Sequence, residues 1–127
     1  MKPFYSLLVI LCVTPAIAAD HTKDTPETVK QNLKAEKAQL IDVREESEWK
    51  SGHLKEAKLL PLSTLSKNPK KEQLEKVLNK KKIVYLHCAA GVRVLPAAEI
   101  LSEHGYDVRP LKQGYKDLLK AGFEKAE

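Results

Sequence analysis

Ile83-Val84-Tyr85-Leu86-His87-Cys88-Ala89-Ala90-Gly91-Val92-Arg93, with Val94, Ala97, Ala98 and Leu101 following at i, i+3, i+4 and i+7, decides the fold. The first five residues are β-branched, aromatic and apolar down to a histidine. A run of that kind reads as a strand buried on both faces. The apolar spacing after Arg93 reads as an amphipathic helix, and Gly105 stands where such a helix ends. A buried strand turning through small residues into a helix is half of a parallel βαβ unit.

The flanks repeat that alternation. On the amino-terminal side, Thr25-Pro26 pairs a hydroxyl cap with a residue of preset φ, and Val29 and Leu33 share a helix face. Leu40 to Val43 read as a buried strand. Glu45 to Lys50 make one or two helical turns closed by Gly52. Leu59 to Leu62 read as a second strand, with Pro61 marking an edge or an end. Asn68-Pro69 is again a cap followed by proline, predicting a helix through Leu74, Val77 and Leu78 that stops at Asn79. On the carboxyl-terminal side, Val108 to Leu111 form a strand and Tyr115 to Ala121 a short helix. The expected class is α/β, with a mainly parallel central sheet and helices on both faces. Ligands of such sheets bind beyond the carboxyl ends of the strands.

The first nineteen residues read differently. Lys2 precedes an apolar run from Phe4 to Val13, broken by Thr14-Pro15, and Ala16-Ile17-Ala18 is a small-x-small pattern. This is the form of an export signal, with cleavage near Ala18 or Ala19. The run is too short to span a bilayer comfortably, so no stable membrane insertion is expected once it is removed. Residues 20–127 are then one domain, and its expected location is the periplasm. Removing the signal removes Cys12 and leaves Cys88 alone. Exported chains normally pair their thiols or avoid them, so a lone cysteine calls for an explanation. The signal holds one basic residue and no acidic one, so the net charge of +5 becomes +4. That mild excess suits small anions. The lysines from Lys67 to Lys82 alternate with Leu74, Val77 and Leu78, which describes a solvated helix face and not a nucleic-acid site.

Cys88 supplies the explanation through its position. Ala89, Ala90 and Gly91 let the backbone curl and turn its N–H groups inward. The helix after Arg93 adds its positive end, and Arg93 adds a permanent cation. The expected result is a cup for negative charge with a sulfur at its rim, surroundings that favour the thiolate. Cys88 is thus the candidate nucleophile, with Arg93, Ala89, Ala90, Gly91 and Val92 binding an anionic substrate. His87 alternates to the other face of its strand, which fits a structural role, and His53 belongs to a turn. Asp42, Arg44 and Glu48, near a strand end, suggest an ion-pair set; Asp42 and Arg44 support the site, with Arg44 at its border. No cysteines or histidines show metal-ligand spacing, so no metal or other cofactor is expected.

These segments resemble the rhodanese family, and specifically its short, exported, single-domain members. Leu40-Ile41-Asp42-Val43-Arg44-Glu45, then Trp49 to Leu54, are similar to the family's first signature. His87 to Arg93 resembles its catalytic loop, and Gly105-Tyr106-Asp107-Val108 with Leu111 to Gly114 its closing signature. The resemblance implies a rhodanese-like three-layer sandwich. It implies a sulfurtransferase carrying a sulfane sulfur as a persulfide on Cys88. The donor would be a small anion such as thiosulfate, and the acceptor cyanide or a thiol. Four residues separate Cys88 from Arg93, where phosphatase relatives carry five, so the resemblance points to sulfur and away from phosphate. A non-catalytic module binding sulfide or protein, and a thiol redox protein, are the alternatives. Val94, Gln113 and Lys55-Glu56 depart from the usual family residues, and these positions bear on substrate and partner choice.

Overall fold

A computed structural model describes Pro3, Ile10 and residues 19–127. The expected export signal over residues 1–19 lies almost wholly outside the described residues. Ten elements follow in order: α1 (Pro26–Lys34), β1 (Ala38–Asp42), α2 (Glu46–Ser51), β2 (Ala57–Leu59), α3 (Leu62–Leu65), α4 (Lys71–Glu75), β3 (Ile83–His87), α5 (Val94–Glu103), β4 (Asp107–Pro110) and α6 (Tyr115–Lys120). The four strands form one sheet in the order β2-β1-β3-β4, and every pairing is parallel.

Side-chain alternation along the strands divides the core in two. Ile41, Val43, Val84, Leu86 and Cys88 face one way, packing with Val94, Ala97, Ala98 and Leu101 of α5 and with Leu65 and Leu74. Ala38, Leu40 and Tyr85 face the other way, packing with Val29 of α1, Leu118 of α6, Leu111 and Phe123. Helices therefore cover both faces, as the α/β reading requires. Among the described residues, no helix is long and apolar enough to cross a membrane.

The Thr25 cap forms as expected, its hydroxyl accepting the Thr28 N–H at 3.2 Å. Two expectations need correction. The second strand lies upstream of the expected Leu59–Leu62, over Ala57–Leu59. Pro61 ends the extended segment and becomes the cap of α3, so Leu62 is helical. Asn68 does not cap the next helix: it takes a left-handed φ of 58°. The start falls at Lys70, whose N–H is accepted by the Gln73 side chain at 2.9 Å. This helix ends at Glu75, short of the expected Asn79. The chain keeps turning beyond it, with the Leu78 N–H donating to Leu74 O, so Leu74 and Leu78 still bury together.

Candidate functional site

β3 delivers Cys88 to the carboxyl edge of the sheet, and the residues up to Arg93 form the turn into α5. Cys88 continues the even-numbered series Val84 and Leu86, so its side chain joins the α5 side of the core. It is 1 % exposed. The sulfur is buried and not at an open rim, a correction that strand alternation explains. Ala89 and Ala90 above it are exposed, and Gly91 is buried.

Four carbonyls along this loop have identifiable partners. Cys88 O accepts from the Tyr115 N–H at 2.9 Å, and Val92 O and Arg93 O accept from Leu95 and Ala97 in α5. Gly91 O meets His21 Nε2 at 2.5 Å. In a trans peptide the N–H points opposite to the carbonyl it is bonded beside. The N–H groups following these carbonyls therefore face away from those partners. Among the described residues, the N–H groups of Ala89 to Arg93 have no hydrogen-bond acceptor. This is the donor arrangement an anion requires.

A second loop fixes the first. Gly91 has a φ of +74°, and a Cβ there would run into Lys112 O. A Cβ at Gly114 would collide with Ala89 O. Both glycines are demanded by the close passage of Lys112–Gly114 behind the Cys88 loop.

Arg93 lies beside the loop, and Glu48 of α2 holds it through two hydrogen bonds of 2.6 and 2.9 Å. That grip pushes Glu48 down to about 2. It also raises Arg93 above its usual range, with attraction from the Glu48 and Cys88 charges adding to the effect. Glu45, at the start of α2, accepts from the backbone and hydroxyl of Ser63. These bonds join α2 to α3 on one side and to the loop on the other. Trp49 stacks flat on His53, ring centres 3.6 Å apart, and His53 Nδ1 donates to Trp49 O at 2.9 Å. His53 belongs to the turn, as expected.

The charges expected together divide into two sets. Glu48 goes to Arg93, while Asp42 and Arg44 form a buried pair, Arg44 Nε and Nη2 both reaching the Asp42 carboxylate at 2.8–3.0 Å. Arg44 also donates to Gly52 O and lies over the Tyr115 ring, 4.3 Å from its centre. Its Nε and Nη2 donors are thus occupied within the fold. His87 faces the same side, opposite Asp42 in the strand register. Burial lowers its pKa, so the ring is neutral at pH 7. Its Nε2 stops 3.6 Å from Asp42 Oδ2, too far for a hydrogen bond. Sequence reasoning missed Tyr115 and His21. Tyr115 braces the Cys88 carbonyl through its backbone, which no side-chain pattern signals. His21 reaches the loop from 70 residues away, and only the fold brings them together.

Residues 25–121 match the rhodanese-like domain. The chain belongs to the rhodanese-like family. Among curated proteins it is 41 % identical over 81 residues to the Bacillus subtilis uncharacterized protein YqhL. That alignment covers 63 % of this rhodanese-like chain and spans 60 % of the relative's length. Among solved structures, a rhodanese-like domain protein from Staphylococcus aureus is 31 % identical with a TM-score of 0.62, covering 78 % of this chain and 92 % of that one. A rhodanese with anions from Escherichia coli is 29 % identical with a TM-score of 0.56, covering 71 % of this chain and 98 % of that one. The four-stranded parallel sheet with helices agrees with these rhodanese-like neighbours.

Proposed function

We propose that this chain moves sulfane sulfur through a persulfide on Cys88. The observation that carries the reading is a buried cysteine before a loop whose N–H groups, from Ala89 to Arg93, lack acceptors among the described residues, in a rhodanese-like chain. The Cys88 thiolate attacks the outer sulfur of thiosulfate. A sulfur–sulfur bond forms to Cys88, and the bond within thiosulfate breaks, its electron pair leaving with sulfite. Cyanide or a thiolate then attacks the outer sulfur, and the Cys88 thiolate departs. This is two-step covalent catalysis with ping-pong kinetics. The loop N–H groups hold the persulfide charge, and Arg93, partly shared with Glu48, draws the donor's anionic end. Asp42 and Arg44 hold the end of β1. The anions in the Escherichia coli relative suit a loop of this kind. From residues 1–19 alone we infer export to the periplasm.

The near-complete burial of Cys88 favours a second reading, a module that binds sulfide or a partner thiol without turnover. One measurement separates the two. Purified protein treated with thiosulfate and analysed by mass spectrometry should gain one sulfur atom on Cys88, which cyanide removes. Folded protein without that adduct overturns the transfer reading, and a glutathione-sized adduct points to redox chemistry. Cys88→Ser should keep the fold and abolish both uptake and turnover.

A further inference from the structure

The segment before α1 is tied to the domain at several points. The Thr22 N–H donates to Pro110 O at the end of β4, at 2.8 Å. The Asp24 carboxylate accepts from the Tyr85 hydroxyl at 2.6 Å and from Arg109 at 2.8 Å. Those two bonds hold its pKa below the usual carboxylate range, the Tyr85 bond most strongly. Between these anchors and the Cys88 loop lies His21, with Nε2 2.5 Å from Gly91 O. A carbonyl oxygen can only accept, so Nε2 carries the proton and donates.

That bond falls on one peptide unit of the loop. Gly91 C=O and Val92 N–H belong to the same plane and point in opposite directions. A donor on the carbonyl therefore fixes the direction of the Val92 N–H and strengthens it as a donor, because bonds in a chain polarise one another. Gly91 is the loop's most adaptable residue, with its left-handed φ, and Lys112 O leaves no room for a Cβ there. Its carbonyl has no other partner among the described residues.

We propose that His21 is a positioning residue that sets the Gly91–Val92 peptide so that the Val92 N–H faces the charge carried on Cys88. This rests on the transfer reading above. It makes the segment before α1 part of the site, although the rhodanese-like match begins only at residue 25.

The test compares His21→Leu with His21→Gln, whose amide N–H can still donate to Gly91 O. The rate of persulfide formation from thiosulfate should fall roughly tenfold in the leucine variant, about the worth of one hydrogen bond. The glutamine variant should recover most of it. The second readout is the Val92 amide nitrogen resonance, which should shift in His21→Leu and return in His21→Gln. A leucine variant as fast as the natural protein, or a slow one that glutamine fails to restore, overturns the proposal. A Val92 resonance unmoved by His21→Leu does the same. If the natural protein takes up no sulfur, the transfer reading fails by itself, and the Val92 resonance still decides whether His21 sets that peptide.

Discussion

At the scale of single residues, the most consequential pairing is Glu48 with Arg93. Glu48 titrates at about 2 when folded, against an ordinary 4.5, chiefly because Arg93 bonds it twice. The unfolded carboxyl thus binds its proton first as the solution is acidified. The pair's contribution is complete above about 4.5 and is lost as the pH falls through about 2. Glu48→Gln should flatten this part of the acid slope in urea midpoints measured down that range. It should also free Arg93 and lower the KM for thiosulfate. Gly114→Ala makes the opposite demand. A Cβ driven into Ala89 O should cost about 1–3 kcal/mol, typical of overpacking, and displace the loop, so denaturant unfolding and sulfur uptake should both worsen. Cys88 and Arg93 were legible in the sequence because their position after β3 announces them. The Glu48 grip was not, because the path of α2 past the loop is a tertiary fact. The sulfur's depth follows from alternation along β3, a rule already usable on Val84, Leu86 and Cys88.

Elements whose ends carry chemical signals were readable at their ends. α1 starts at Thr25-Pro26, as its cap indicates. β2 and α4 were misplaced because short elements owe their limits to neighbours. Leu60 and Leu62 donate to the carbonyls of Asp42 and Val43 whatever their propensity, and Asn68 serves as a left-handed turn residue instead of a cap. Tyr85 bears on how elements are joined. Its ring lies in the core at β3, while its hydroxyl donates to Asp24 and accepts from Asn32 of α1 at 2.9 Å. Tyr85→Phe should therefore lower stability by about 1.5–3 kcal/mol, the worth of a hydrogen bond to a charged group. Urea unfolding will show it, and amide exchange should quicken at Thr22 and Asp24 before it does in β3.

For the molecule as a whole, alternation of strands and helices was enough to predict a parallel sheet covered on both faces. The order β2-β1-β3-β4 was not, since pattern alone does not say which strand is central. Export belongs to this scale too. Protein recovered from the periplasmic fraction of an expressing cell should begin at Ala19 or Asp20, and amino-terminal sequencing checks this. A chain starting at Met1 there would overturn the expected cleavage.

The chain contains one tryptophan, and it sits on α2 beside the glutamate that grips Arg93, its ring flat against His53. All indole emission therefore originates at a single address, one residue from the salt link to the reactive loop. Filling or emptying that loop should alter the light from Trp49, so the protein reports its own occupancy without any added dye.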